Sequence, residues 1–167
     1  MVLTIRELNY EDIETLGSWL ISDPDFPGDF SPFAWEISKE SFLSKVQENL
    51  TVPKTVEVKF YTVQRDGSPI GVMLSRKPEN FDYVEVGYYI QPAERHKGYG
   101  TESLRQFTDF LFKTCGVLRL EAGTSSLNVP SQRILEKAGF TREAIRRKTL
   151  FRNGKWEDSY LYALIRE

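Results

Sequence analysis

The sequence predicts an α/β fold: one domain, residues 1–167, with a mixed, mainly antiparallel sheet flanked by helices in the order β-α-α-β-β-β-α-β-α-β-β. Three observations predict it. Apolar residues switch along the chain between the alternation of strands and the longer period of helices. The polar turns separating the three central apolar runs are too short for crossovers, so those runs pair as antiparallel neighbours. No repeat, linker or low-complexity stretch divides the 167 residues, a length that buries about 70% of its unfolded surface without disulfide or metal staples.

Each element has its own warrant. "VLTIREL" alternates as a first strand, and "NYEDIETLGSWLI" sets Ile13, Leu16, Trp19 and Leu20 at helical spacing. "SDPDFPGDFSPF" is a loop, because its prolines and glycine break any period. A second helix is expected near "SKESFLSKVQENL", with Ser38 as its cap and Pro53 beyond its end. "TVEVKFYTVQ", "IGVMLSR" and "NFDYVEVGYYI" read as three strands. "TESLRQFTDFLFKTCG" returns to the helical period through Leu104, Phe107, Leu111 and Cys115, with Gly116 at its end. "VLRLEAG" is a short strand. "NVPSQRILEKAGF" is a short helix with Asn128 as N-cap, Pro130 in the first turn and Gly139 as terminator. The tail closes as a hairpin about Asn153-Gly154.

Composition narrows the function. A net charge of −2 gives no general attraction to nucleic acid or to an anionic membrane, so neither is expected as a partner. The charge is unevenly spread: Glu7 to Ser38 holds eight acids and no Lys or Arg, while Arg142 to Lys155 holds six bases and one acid. Such polarity suits a cationic substrate at one place and an anionic cofactor at another, or two solvated faces. Cys115 is the only cysteine and His96 the only histidine, which leaves no disulfide framework and no expected metal site. Among Phe110, Leu111 and Val117, Cys115 is expected to be buried. The N-terminus lacks the pattern of a signal peptide and no window matches a membrane span, so a cytoplasmic location is expected.

The segment "ERHKGYGTESL" places Arg95, His96 and Lys97 before Gly98 and Gly100, between a strand and a helix beginning near Thr101. A helix N-terminus offers unpartnered N–H groups and a partial positive charge, and glycine lets a phosphate approach them. By itself the segment fits either such a cradle or a solvated loop. It lacks the third glycine of a dinucleotide fingerprint and the Gly-Lys-Ser/Thr of a P-loop.

"RHKGYG" resembles the Arg/Gln-x-x-Gly-x-Gly/Ala pyrophosphate motif of the GNAT family of N-acetyltransferases. "VEVGYYIQP" is similar to the strand before that motif, "NVPSQRILEKAGF" to the family's Asn-x-x-Ser…Lys-x-Gly-Phe helix, and "RNGKWEDSYLYAL" to its closing hairpin. The last two look most like the branch that acetylates the N-terminal alanine of ribosomal proteins. The resemblance implies a GNAT-like fold in which the strands at Val86 and Leu118 diverge beside the Gly98 loop. It implies acetyl-CoA as co-substrate, without a metal, and an amine acceptor that is a protein N-terminus or a small molecule. Homodimerisation is left open.

Residue by residue, the resemblance assigns Arg95, His96, Lys97, Gly98, Tyr99, Gly100 and Thr101 to the pyrophosphate. It assigns the strand backbone at Tyr89 and Ile90 to the acetyl and pantetheine groups, and Asn128 to the cofactor or to helix capping. Glu85, in mid-strand, is the expected general base, and Ser131 the group near the thioester. Leu135 stands where many members carry a tyrosine that protonates the leaving thiolate. Arg133 and Lys137 are within reach of an adenosine phosphate, and Phe30, Phe33 and Trp35 belong to the substrate side. Asp158 is expected to be structural. The alternative is a non-catalytic acyl-CoA sensor or interaction module, which the missing tyrosine favours and Glu85 disfavours.

Overall fold

A computed structural model describes residues 2–23, 44, 47, 57–152 and 154–167. The elements are β1 (Leu3–Glu7), α1 (Asp12–Ser22), β2 (Glu57–Arg65), β3 (Ser68–Lys77), β4 (Val84–Ile90), α2 (Tyr99–Cys115), β5 (Arg119–Ser125), α3 (Val129–Lys137), β6 (Thr141–Arg152) and β7 (Lys155–Ile165). The second helix expected near residues 38–50, and the aromatics Phe30, Phe33 and Trp35, lie outside the described residues apart from positions 44 and 47.

The described strands form one sheet in the order β1-β2-β3-β4-β5-β7-β6. Each neighbouring pair is antiparallel apart from β4 and β5, which run parallel. Helices cover both faces, which explains why "IGVMLS" in β3 reads as a continuous buried run rather than an alternating one. On one face, Leu104, Phe107 and Leu111 of α2 pack with Leu135 of α3 against Val63, Met73, Val86, Leu120 and Tyr162. On the other, Leu16 and Trp19 of α1 close a smaller core with Leu8, Val72, Leu74 and Tyr89. Tyr89, on the odd-numbered side of β4 with Glu85, is only 2% exposed, because α1 covers that face too.

Helix α1 is pinned at its start by Asp12, which is buried and accepts both guanidinium nitrogens of Arg6, the Asn9 N–H and the Thr62 hydroxyl. Burial alone would raise this carboxyl. Those hydrogen bonds and the Arg6 charge outweigh it and hold Asp12 below its ordinary value.

Cys115 departs from expectation. It is exposed, because the apolar stripe of α2 reaches its last residue only where the helix ends at Gly116 (φ 65°). Edge strand β6 is mostly exposed and skips register between Arg146 and Leu150. There Asp158 accepts the backbone N–H of Lys148 at 2.9 Å, the structural part expected of it. Basic residues and a bulge on an outer strand oppose edge-to-edge pairing.

Candidate functional site

Strands β4 and β5 pair only at Val84–Leu120 and Glu85–Glu121. From Val86 onward β4 keeps β3 as its partner but has no register with β5, so a gap opens along its C-terminal half. Both α2 and α3 start beyond the C-terminal ends of these two strands, at the mouth of the gap. Clefts of this kind are where open α/β sheets take ligands.

At the closed end, pairing sets two carboxylates side by side, each held by its own arginine. Glu85 Oε2 accepts Arg76 Nε at 2.6 Å, and Glu121 Oε1 accepts Arg119 Nε at 2.7 Å. Arg119 also reaches Glu143 on β6. Hydrogen bonding to Glu143 and Glu121 pushes the Arg119 guanidinium above its ordinary value, against the opposing effect of burial. Burial, followed by the charges of Glu85 and Glu121, raises the neighbouring Tyr83 phenol.

At the mouth, the bases serve the fold more than the sequence suggests. Arg95 donates to the Ile90 carbonyl at 2.8 Å and to Asp23 at 2.7 Å, and its guanidinium lies 5.2 Å from the Tyr89 ring centre. Asp23 also accepts the Tyr89 hydroxyl at 2.9 Å. Burial and this carboxylate push the Tyr89 phenol well above its ordinary value. Arg95 thereby ties the end of α1 to β4. Lys97 donates to the Ala93 carbonyl and to Glu94, which also pairs with Arg65. His96 is exposed, with a left-handed backbone (φ 62°).

The glycines divide the work. Gly98, at the N-cap of α2, has φ 85°, and a Cβ built on it would meet nothing within 4 Å. Among the described residues no side chain caps the start of α2, and that start lies at the mouth of the gap. Gly100 does something else: a Cβ there would lie 3.0 Å from Ile134, so this glycine lets α2 approach α3. Tyr99 is buried in the main core, and the helix starts two residues earlier than its apolar period predicts.

The β4 backbone also sorts itself. Gln91 N donates to Ile70 on β3, and backbone polar groups alternate sides along a strand. Tyr89 therefore turns its N–H and C=O toward β3, whereas Tyr88 and Ile90 turn theirs toward the gap. Of Tyr89 and Ile90, Ile90 is the one whose backbone turns away from β3, and its carbonyl accepts Arg95 Nε.

Across the gap, Asn128 caps α3 by accepting Ser131 N–H at 3.1 Å. Ser131 Oγ lies 2.8 Å from the Tyr88 hydroxyl, which is also 3.0 Å from the Ser131 carbonyl. Leu135, one turn on, is 1% exposed and belongs to the core. Arg133 and Lys137 are exposed on α3. Sequence reasoning missed Asp23, Tyr88 and Glu121. A phenol on an otherwise apolar strand face needs a polar partner, and that was the available signal for Tyr88. A separate surface cleft of about 430 Å³, lined by Arg105, Asp109, Lys113 and Arg166 among others, shares no residue with the gap. Among the described residues no cluster of His, Cys, Asp or Glu could hold a metal, and no helix is long and apolar enough to cross a membrane.

The acetyltransferase (GNAT) domain family matches residues 2–141. The chain belongs to the GNAT acetyltransferase family. The open, mostly antiparallel sheet with its helices is the GNAT fold. A curated relative is the probable N-acetyltransferase YjcK of Bacillus subtilis, 41% identical over 80 residues, 48% of this chain and 44% of that protein. The chain thus spans about half the length of the curated relatives that it matches first. A GNAT-family acetyltransferase structure from Bacillus anthracis is 25% identical, with a TM-score of 0.79 and coverage of 99% of this chain and 95% of that one. The ribosomal L7/L12 α-N-protein acetyltransferase RimL, solved with coenzyme A, superposes with a TM-score of 0.84 at 18% identity, covering 99% of this chain and 94% of that one. At that identity the likeness is one of GNAT fold.

Proposed function

We propose that this chain is an acetyl-CoA-dependent N-acetyltransferase that moves an acetyl group to a primary amine by direct attack in a ternary complex. The acceptor is a protein N-terminal α-amine or a small amine. The observation that carries this reading is the β4–β5 gap with an uncapped, glycine-led helix start at its mouth. The backbone from Gly98 to Thr101 would hold the pyrophosphate, and the Ile90 N–H the pantetheine arm. The co-substrate supplies an activated acetyl group, so no enzyme nucleophile is required.

The chain's own task is proton management. Most amines are protonated at pH 7 and cannot attack until a base removes the proton. Glu85 is that base in this reading, acting directly or through water from the closed end of the gap. Ser131, on the opposite wall, is the group beside the leaving sulfur. Support for the ribosomal-protein branch comes from the shape of neighbours such as RimL and from the Asn128–Ser131 helix start. The sensor alternative draws on one observation: Glu85 is already engaged by Arg76.

Thiol release from acetyl-CoA, measured with a panel of peptide N-termini, polyamines and aminoglycosides, separates the two. Acceptor-dependent release by at least one class is expected. Tight cofactor binding without release under any acceptor would overturn the transferase reading in favour of the sensor.

A further inference from the structure

We propose that Tyr88 is the positioning residue that makes Ser131 a proton donor to the leaving thiolate. The inference rests on the transferase reading above and goes beyond it by naming where the donated proton originates. Tyr88 lies on the half of β4 that has lost β5, and its hydroxyl crosses the gap to the first turn of α3.

A count of protons carries the argument. The Tyr88 phenol has one proton and two Ser131 oxygens in reach, the carbonyl at 3.0 Å and Oγ at 2.8 Å. The carbonyl can only accept. If the phenol donates to the carbonyl, the 2.8 Å contact to Oγ requires the serine to donate back. The serine proton then rests on Tyr88 and is withheld from any third group. If the phenol donates to Oγ instead, the serine proton is released toward the gap. Between these two residues there are two proton arrangements, and only the second makes Ser131 a donor. An acceptor arriving beside Oγ selects it.

Acidity points the same way. A serine that gave up its proton alone would leave an alkoxide far more basic than a thiolate. A phenol, at about 10, lies within about two units of a thiol at about 8.5. The step balances as follows. The amine nitrogen forms its bond to the acetyl carbon and sheds its extra proton to water, the carbon–sulfur bond breaks, and sulfur leaves with the electron pair. Sulfur takes the Ser131 proton, Ser131 takes the Tyr88 proton, and solvent water returns a proton to the phenolate. Leu135 places no phenol in α3, and the strand tyrosine reaches the same helix from across the gap.

The test uses the full chain with 3-fluorotyrosine in place of Tyr88, which keeps the hydroxyl and makes it more acidic, together with Tyr88→Phe, Ser131→Ala and the double variant. In the substrate-free protein, the fluorine resonance reports the phenol's titration, and Ser131→Ala should shift that titration. In turnover, the fluorinated protein should move the alkaline limb of kcat to lower pH. Tyr88→Phe should lower kcat at least tenfold, with the KM for acetyl-CoA changed less than threefold, and the double variant should be no worse than Ser131→Ala. A phenol titration blind to Ser131→Ala, an unmoved alkaline limb, or additive losses in the double variant would each overturn the proposal. Absence of wild-type transfer to every amine would instead overturn the transferase reading, and this proposal with it.

Discussion

The two ends of the β4–β5 gap are built on opposite principles. At the closed end, strand pairing forces Glu85 and Glu121 together, and two arginines, Arg76 and Arg119, face three carboxylates once Glu143 is included. At the mouth, α2 starts on Gly98 with no side-chain cap, while the neighbouring bases Arg95 and Lys97 are engaged by Asp23 and Glu94. The contrast teaches that, if a ligand is held at the mouth as proposed, the side-chain charges of Arg95 and Lys97 are already occupied in bracing the loop, which leaves the backbone N–H groups of the α2 start as its partners. It also separates chemistry from binding: changes at the closed end should alter turnover, and changes at the mouth should alter affinity.

The largest effect is expected at the closed end. Glu85→Gln keeps the shape and part of the Arg76 contact but cannot take a proton, so turnover should fall by about 100- to 10,000-fold while acetyl-CoA affinity stays. Steady-state rates across pH 6 to 9 check it, and the deficit should narrow at alkaline pH, where more of the amine is already neutral. Equal rates for the two proteins over that range would remove Glu85 from the chemistry and break the division.

Gly98 tests the mouth. Gly98→Gln and Gly98→Glu suffer the same strain at φ 85° and meet the same open space, so their difference isolates charge. Calorimetry should show the Glu variant binding acetyl-CoA at least tenfold more weakly than the Gln variant, about 1.4 kcal/mol. Gly100 is the wrong place for this experiment, because a side chain there meets Ile134 first.

A control away from both ends should leave them unaffected. Asp12→Asn weakens the bonds to Arg6, Asn9 and Thr62 and should cost about 1 to 3 kcal/mol of stability without changing the cofactor's affinity. Because the folded Asp12 carboxyl sits below its ordinary value, its contribution is present above the unfolded pKa of about 3.9. It is lost as pH falls through the folded value. Thermal unfolding of wild type and variant should therefore converge in acid below pH 4. The smallest effect is at α3, where Asn128→Ala removes a cap and should cost about 1 kcal/mol. A loss of acetyl-CoA affinity beyond twofold in that variant would show that Asn128 also meets the cofactor.

Local patterns carried the parts of this molecule that are local. The period of Leu104, Phe107 and Leu111, the Asn128 cap and the antiparallel pairing of Arg152 with Lys155 were all legible, since each depends on near neighbours in sequence. The parts set by distant pairing were not. Glu121 gains significance only from lying beside Glu85, and Asp23 only from meeting Arg95 and Tyr89, 72 and 66 residues away. A basic residue in a glycine motif invites a phosphate reading, yet a buried carboxylate from another element competes for the same guanidinium. Nothing in the motif reveals which wins.

The exposed sulfur of Cys115 has a practical side. It is the chain's sole thiol, at the end of a 17-residue helix whose other end faces the mouth, so a fluorophore attached there sits about 24 Å along the axis from the cradle. That is a useful distance for energy transfer to a labelled coenzyme, with one dye per molecule and no engineering of the scaffold. The same sulfur adds a fixed stoichiometric signal to any colorimetric thiol count, which must be subtracted or blocked before the first turnovers are read.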